Sequence, residues 1–184
     1  MIATPRLLLR PFTDVDRAPF FALNTHPLVV ESLGSSPTRA ESDAVVDRYG
    51  EELGREGWGL WAVEVTGGVA FAGMVGLHRV SPALPCAPAV EVGWRLHPDQ
   101  WGRGYATEAA VASLRLGFDE VGLDEIVAFT TTLNTRSQAV MARIGMRRDP
   151  EGDFDHPSLP EGSPLRRHVL YRVTSAQVTS RVAP

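Results

Sequence analysis

The stretch that decides the fold is residues 91–110, which read EVGWRLHPDQWGRGYATEAA. From 89 to 96, apolar side chains alternate with polar residues or glycine, and this period of two predicts a strand. His97 and Pro98 end that strand, and small and apolar residues from about 104 to 120 predict a helix. The stretch therefore predicts a strand, a glycine-containing loop and a helix in direct succession.

The loop between this strand and this helix has the properties of an anion-binding site. Gly102 and Gly104 can adopt positive φ and let a ligand approach the backbone closely. The N-terminus of the following helix offers N–H groups without intrahelical acceptors, together with a partial positive charge. Arg103 adds a full positive charge nearby. A pyrophosphate would fit there without any lysine side chain.

Three kinds of phosphate-binding loop compete for this pattern. A Walker loop requires Gly-Lys-Ser/Thr, which the sequence lacks. A dinucleotide loop requires a third glycine where this chain has Thr107, and no second half of a doubly wound sheet follows. The remaining candidate is a loop that binds the pyrophosphate of coenzyme A.

Outside this stretch the chain reads as short strands and helices in alternation. Strands are predicted at about 7–9, 57–65, 69–80, 126–132 and 166–173, and further helices at about 14–24, 38–55 and 134–145. His26-Pro27 is expected to end the first helix, and the polar, proline-containing residues 149–164 are expected to form a loop. This order predicts one α+β domain over residues 1–184.

Composition narrows the class of protein. The 43% hydrophobic and 22% charged residues are typical of a globular domain, and the net charge of −4 argues against nucleic acid as the main partner. The single cysteine, Cys86, allows no internal disulfide, which fits a reducing cytoplasm. Because the N-terminus lacks a signal-peptide pattern and the apolar runs are too short for a bilayer, we expect a cytoplasmic protein without a membrane partner.

Two motifs in order resemble the GNAT superfamily of N-acetyltransferases. The loop resembles the family's acetyl-CoA motif, Arg/Gln-x-x-Gly-x-Gly/Ala, and fits at Gly104 and Ala106. It has Trp101 where Arg or Gln is commonest, a departure shared by the Rim-type branch that resembles ribosomal-protein N-terminal acetyltransferases. Residues 134–146 resemble the family's Asn-x-x-Ser helix with its following Gly-Met, and residues 4–10 resemble the opening of Rim-type members.

The resemblance carries expectations about fold and activity. It implies a mostly antiparallel sheet of about seven strands, flanked by helices and splayed in the middle at the acetyl-CoA site. It implies acetyl-CoA as co-substrate, without a metal, and direct attack by a primary amine in a ternary complex. The acceptor would be a protein N-terminus or a small-molecule amine, and the enzyme a monomer or a homodimer.

The resemblance also assigns cofactor-binding positions. On the predicted strand, the backbone would bond along the pantetheine arm at Trp94, Arg95 and Leu96. The loop would hold the pyrophosphate through Trp101, Gly102, Arg103, Gly104, Tyr105, Ala106 and Thr107. The second motif would meet the arm or the phosphates through Asn134 and Arg136. Asn134 could equally cap its helix, and Arg136 could be solvated.

Two residues are the catalytic candidates that the resemblance implies. Glu91 resembles the glutamate that acts as general base, often through water, and Ser137 resembles the serine proposed to protonate the leaving thiolate. Met141 stands where many members have a tyrosine acid, and it cannot donate a proton. Glu91 could instead be a solvated or ion-paired strand residue, and Ser137 could serve only its local backbone. Because of Met141, a non-catalytic acyl-CoA-binding regulatory module is the alternative function.

Weaker candidates surround these positions. Trp58 and Trp61 fall on opposite faces of one predicted strand, so one is expected in the core and the other in an acceptor pocket. A lone strand histidine such as His78 is more often structural than substrate-binding. The acidic residues Asp153 and Asp155 are expected in a loop that flanks the acceptor site, where they would favour a cationic amine. Cys86 is not expected to act as a nucleophile.

Overall fold

A single mixed sheet organises the chain in the computed structural model, which describes residues 1–177. Residues 178–184 of the expected 1–184 domain lie outside the described residues. The strand order is β1-β2-β3-β4-β5-β6-β8-β7. The strands are β1 (Ile2–Ala3), β2 (Leu7–Arg10), β3 (Leu60–Val65), β4 (Gly73–Arg79), β5 (Val90–Leu96), β6 (Glu125–Thr131), β7 (Arg147–Asp155) and β8 (Arg167–Thr174).

Five α-helices flank the sheet within the described residues. They are α1 (Arg17–Thr25), α2 (Pro27–Leu33), α3 (Arg39–Glu56), α4 (Tyr105–Arg115) and α5 (Thr135–Arg143). A π-helical turn, Leu116–Glu120, extends α4. The predicted α+β class is confirmed. The sheet has eight strands rather than about seven, since the two-residue β1 and the strand β7 add to those that the sequence pattern predicts.

Strand β7 corrects the prediction of a loop over 149–164. The chain forms a strand from Arg147 to Asp155 that pairs antiparallel with β8, and the register shifts between Asp149 and Phe154. An edge strand needs hydrogen bonds on one side only, so it tolerates the charges and Pro150 that argue against an inner strand.

The prediction that His26-Pro27 ends the first helix is confirmed, and Pro27 also begins the next helix. The side chain of His26 accepts a hydrogen bond from the backbone N–H of Leu28, and Pro27 occupies the first helical turn of α2. The fixed φ of proline suits that position, and the N–H it lacks would have no intrahelical acceptor there. Gly34, with φ of 76°, ends α2.

The sheet has two distinct faces. On the α4 face, Val75, Leu77 and Val92 join Ala110 and Leu114 of α4 in the main core. Because side chains alternate along a strand, the neighbours of Val92 on β5 point to the opposite face. On that α1 face, α1 and α3 pack over the first half of the sheet with a second, aromatic core, which comprises Phe12, Phe20, Val46, Tyr49, Leu60, Phe71 and Met74.

The middle of the sheet is splayed. Strand β5 pairs with β4 along its whole length, from Val90 to Leu96. Its parallel pairing with β6 is confined to Glu91 and Val127. Beyond Glu91 the two strands diverge, while β6 continues to pair with β8 as far as Thr131. The predicted splay is therefore present, and it opens at the C-terminal end of β5, next to the glycine loop.

Candidate active site

The glycine loop has the backbone that the sequence predicts. Gly102 and Gly104 have φ of 74° and 81°, the left-handed region that L-residues other than glycine rarely adopt. Helix α4 begins directly after the loop, at Tyr105, and its first helical hydrogen bond runs from the N–H of Glu108 to the carbonyl of Gly104 at 3.0 Å. The preceding N–H groups therefore have no acceptor within the helix and remain available to an anion.

An N-terminal arginine holds this loop in place. The guanidinium of Arg6 donates to the backbone carbonyl of Arg103 at 2.9 Å, lies 5.0 Å from the centre of the Tyr105 ring, and pairs with Glu108 at 2.6 Å. Glu108 also accepts from the backbone N–H of Arg6 at 2.9 Å and from the Thr4 hydroxyl at 2.7 Å. The opening segment that resembles Rim-type members thus anchors the glycine loop and the first turn of α4.

The second motif lies beside the first. The guanidinium of Arg136 lies 4.6 Å from the centre of the Trp101 ring, and the indole N–H of Trp101 donates to the carbonyl of Leu96 at 2.8 Å. Asn134 caps α5, because its Oδ1 accepts from the backbone N–H of Ser137 at 3.1 Å. The start of α5, the glycine loop and the end of β5 therefore meet at one place.

The backbone of β5 presents free edges toward the splay. The N–H of His97 donates to the carbonyl of Ala72 at 2.8 Å, so the alternation of a strand also turns the backbone groups of Arg95 toward β4. The backbone groups of Trp94 and Leu96 point the other way, toward the side from which β6 has diverged. The carbonyl of Leu96 is already bonded to Trp101. The backbone N–H and carbonyl of Trp94 are therefore the groups that face the open part of the splay.

Glu91 is buried and paired with a histidine. Its carboxylate Oε2 lies 3.0 Å from Nε2 of His78, the residue opposite it on β4, and only 9% of Glu91 is exposed. Burial by itself lowers the pKa of His78, but the hydrogen bond and the negative charge of Glu91 outweigh it and raise the pKa above its ordinary value. Glu91 is thus not a solvated residue, and of the two alternatives to a catalytic role the ion-paired one matches its contact with His78.

Aromatic rings and imidazoles extend the α1 face beyond Glu91. His168 on β8 stacks on Phe154 at 5.5 Å between ring centres, and His156 lies 5.1 Å from His168. Phe129 of β6 completes this group. Burial lowers the pKa values of both histidines, which favours their neutral forms at neutral pH.

The two acidic residues expected near the acceptor site are engaged elsewhere. Both lie on β7 rather than in a loop. Asp153 pairs with Arg148 and accepts from the backbone N–H of Leu170 at 3.1 Å, and Asp155 lies 3.4 Å from Arg167. These arginines offset the negative charge that was expected to favour a cationic amine.

The remaining candidates are placed as follows. Ser137 is partly buried in the first turn of α5, whereas Met141, one turn further on, is buried in the main core. Trp58 and Trp61 both belong to that core, which corrects the expectation that one of them lines a pocket. Burial raises the pKa of the Cys86 thiol, which opposes formation of a thiolate.

The described residues contain neither a metal-ligand cluster nor a membrane-spanning helix. No cluster of three or more His, Cys, Asp or Glu side chains arranged to hold a metal ion occurs in residues 1–177. Over the same range, no helix is both long enough and apolar enough to cross a membrane.

Sequence reasoning missed two features of the site. The pairing of His78 with Glu91 depends on the register between β4 and β5, which a single sequence does not show. The anchor formed by Arg6 and Glu108 joins residues about a hundred positions apart, so no local pattern marks it. The opening segment was noticed only as part of the family resemblance.

Comparisons with known proteins agree with this geometry. A family model described as an acetyltransferase (GNAT) domain matches residues 6–147. An FsC-acetyl coenzyme A-N(2)-transacetylase of Aspergillus fumigatus is 46% identical over 84 residues, which cover 46% of this chain and 35% of that protein's length. An acetyltransferase structure from Agrobacterium tumefaciens is 26% identical, with a TM-score of 0.76, and the match covers 95% of this chain and 94% of that one.

A structure of RimL, a ribosomal L7/L12 alpha-N-protein acetyltransferase in complex with coenzyme A, has a TM-score of 0.75 at 16% identity. That match covers 94% of this chain and 96% of RimL, and it concerns the fold alone. The family model covers most of the chain, so the chain belongs to the GNAT acetyltransferase family, as predicted.

Proposed function

We propose that this chain transfers an acetyl group from acetyl-CoA to a primary amine by direct attack in a ternary complex. One observation carries the proposal: the sheet splays immediately beyond Glu91, between the glycine loop and the buried Glu91–His78 pair. A donor bound at the loop would enter the splay, and a buried carboxylate would stand at its inner end.

The glycine loop suits the pyrophosphate of the donor. Gly102 and Gly104 are exposed, and around Gly102 no side chain occupies the space that a Cβ would take. A backbone of this shape can approach a ligand closely and offer its N–H groups. Trp101 and Arg136 would border the phosphates, and the open backbone groups of Trp94 would bond to the pantetheine arm.

The chemistry assigns one proton transfer to each catalytic candidate. Glu91, directly or through water, takes a proton from the ammonium, and the freed lone pair attacks the thioester carbonyl carbon. A C–N bond forms, the attacking nitrogen loses its second proton to solvent, and the C–S bond breaks as the tetrahedral intermediate collapses. The hydroxyl of Ser137 gives its proton to the departing thiolate and is reprotonated from solvent. Backbone N–H groups of β5 stabilise the charge that develops on the carbonyl oxygen.

A narrower set of expectations accompanies this activity. The acceptor is a protein N-terminus or a small-molecule amine, and the enzyme works as a monomer or homodimer without nucleic acid, membrane or metal. A cytoplasmic location fits the single cysteine.

A non-catalytic acyl-CoA-binding regulatory module is the competing function. The burial of Met141 in the core favours it, because no phenol stands at that position to protonate a thiolate. The ion pair of Glu91 with His78 favours catalysis, since a purely structural role does not require a buried carboxylate beside an open splay. Turnover with any amine separates the two functions.

The first test measures donor binding. Isothermal titration and thermal shift with acetyl-CoA and coenzyme A would compare the wild type with Gly104→Trp, whose side chain blocks the loop. We expect the wild type to bind both ligands, and the folded variant to bind neither. An acetylation screen over amines follows, and because the chain has no lysine, autoacetylation of lysine cannot confound it. A folded wild type that binds neither ligand would refute the proposed function.

A further inference from the structure

One arginine differs from all others in the described chain. Among residues 1–177, the arginines that form no ion pair are exposed, except Arg95, which is partly buried on the central strand β5. The exposed ones are Arg103, Arg115, Arg136, Arg143 and Arg147. A partly buried guanidinium without a carboxylate is costly to a fold unless something else satisfies it.

The protein satisfies this guanidinium only in part. Nη1 of Arg95 donates to Oδ1 of Asn24, near the end of α1. Asn24 is itself buried, and its Nδ2 donates to the carbonyl of Phe20 at 2.9 Å, which fixes the orientation of its amide. A guanidinium has five N–H donors in a planar fork, so one amide oxygen leaves most of them for another acceptor. Burial lowers the pKa of Arg95, and the interactions with Tyr49 and with the charge of Glu91 offset this effect only in part.

Arg95 and Glu91 lie on the same face of β5 with only a glycine between them. Both side chains point to the α1 face, and the residue between them on that face is Gly93. A Cβ added to Gly93 would find its nearest neighbour, Nε2 of His78, at 3.6 Å. The residue opposite Gly93 on β4 is also a glycine, Gly76. No side chain of β5 therefore separates Glu91 from Arg95, whose Cα atoms stand about 13 Å apart by the rise of a strand.

Solvent reaches this stretch although it lies in the middle of the molecule. On the α1 face of β5, Gly93 and Arg95 are partly exposed, while Glu91 is buried. A central strand of an eight-stranded sheet is exposed only where a cleft reaches it. The glycine loop leads into α4 on the other face of the sheet, so the Arg95 side chain is not placed to bind the donor's pyrophosphate.

We propose that Arg95 binds a carboxylate on the acceptor, and that the acceptor is therefore an amine of the amino-acid class. The inference rests on the proposed function and narrows its substrate. The ammonium of such a molecule would face Glu91 and its carboxylate would face Arg95, so the two charges of the acceptor match the two charges of the cleft. The guanidinium fork bonds a carboxylate in two places at once, which fixes orientation as well as charge.

The experiment compares acceptors that differ only in the carboxylate. Common amino acids would be assayed beside their decarboxylated amines and their carboxamides, with the wild type, Arg95→Gln and Arg95→Lys. We expect the wild type to favour the acids by roughly 100-fold in kcat/KM. Arg95→Gln should remove that preference, chiefly through KM, and lower kcat/KM far more for the acids than for the decarboxylated amines. Arg95→Lys should restore part of the preference, because it keeps the charge but not the fork.

Controls keep the inference separate from folding and from the proposed function. Arg115→Gln removes an exposed arginine on α4 and should change no acceptor preference. Melting temperature and acetyl-CoA affinity would verify that Arg95→Gln folds. If it does not, inhibition of the wild type by simple carboxylic acids, competitive with a decarboxylated acceptor and not with acetyl-CoA, provides the test instead.

The outcomes are distinct. A wild type that binds acetyl-CoA but acetylates no amine would overturn the proposed function. A wild type that acetylates decarboxylated amines or peptide N-termini as well as the acids would overturn only the role of Arg95. An Arg95→Gln variant that loses activity equally toward both kinds of acceptor would also overturn the role of Arg95. A wild type that simple carboxylic acids do not inhibit competitively would do so as well.

Discussion

Nε2 of His78 lies 3.0 Å from Oε2 of Glu91, and the two residues face each other on adjacent antiparallel strands. The imidazole fixes the direction of the carboxylate and supplies a proton partner beside it. We propose that the pair acts as one acid–base unit, in which Glu91 would take the proton of the acceptor and His78 would hold Glu91 in place.

Replacing Glu91 by glutamine should abolish most turnover. The amide keeps the size and a hydrogen bond to His78 but cannot take a proton, so kcat should fall by about 10²- to 10⁴-fold. Steady-state kinetics with a saturating amine measures the loss. The affinity for acetyl-CoA should stay unchanged, and raising the pH should restore part of the rate because free amine then needs no base. An activity close to that of the wild type would exclude Glu91 as the base.

His78→Gln should make stability less dependent on pH. The folded-state pKa of His78 lies above its ordinary value, so its contribution is fully present below the unfolded pKa and is lost as the pH rises through the folded pKa. The difference in free energy of unfolding between wild type and variant should therefore be larger at about pH 5.5 than at about pH 9. Urea denaturation at both values gives the comparison, and a difference that grows with pH would contradict the assignment. Turnover should also fall, by about tenfold.

Gly102→Ala should weaken acetyl-CoA binding more than its effect on stability explains. Gly122 offers a matched control, because both glycines have nearly the same φ, 74° and 76°, and open space where a Cβ would stand. Each alanine variant should lose about 1 kcal/mol of stability from the left-handed backbone. Calorimetry should show Kd for acetyl-CoA rising about tenfold in Gly102→Ala alone, since only that methyl group stands where the pyrophosphate approaches. Equal affinities in the two variants would remove the loop from the donor site.

Arg6→Ala should loosen the glycine loop without contacting the donor. It removes the bond to the carbonyl of Arg103 and the pair with Glu108. We expect Kd for acetyl-CoA to rise by about five- to tenfold, and amide hydrogen exchange in the loop to accelerate. Arg39→Ala, which removes an exposed pair with Asp43, is the control and should leave both measurements unchanged. If the two variants behave alike, the contacts of Arg6 do not position the loop.

The same anchor predicts how acid affects the loop. Burial raises the pKa of Glu108, but its hydrogen bonds with Thr4 and Arg6 outweigh that effect, so the folded-state pKa is below its ordinary value. Its contribution to stability is therefore present above the unfolded pKa and is lost as the pH falls through the folded one. Lowering the pH through the folded-state pKa of Glu108 should therefore weaken the anchor and release the first turn of α4.

Much of the donor side was predictable from the sequence because its determinants are local. Positive φ at Gly102 and Gly104, the start of the following helix and the cap by Asn134 all depend on a few neighbouring residues. These predictions needed the residue types and spacings alone, with no knowledge of which strands meet.

The acceptor side was less predictable because it depends on register and on paired elements. The sequence alone did not reveal that His78 meets Glu91, or that Arg95 is left with a single amide partner at the end of α1. The polar sequence of β7 resembles a loop because its strand character comes from pairing with β8.

The single pairing between β5 and β6 gives this sheet two edges in its interior, in addition to the two at its rim. An outer edge is open to any neighbouring chain, which is how sheets aggregate. An inner edge is flanked here by α4, which packs on β5, and α5, which packs on β6, so a molecule that pairs with it must lie along the strands. The missing ladder therefore leaves room for an extended, amide-bearing arm to take the place of a strand.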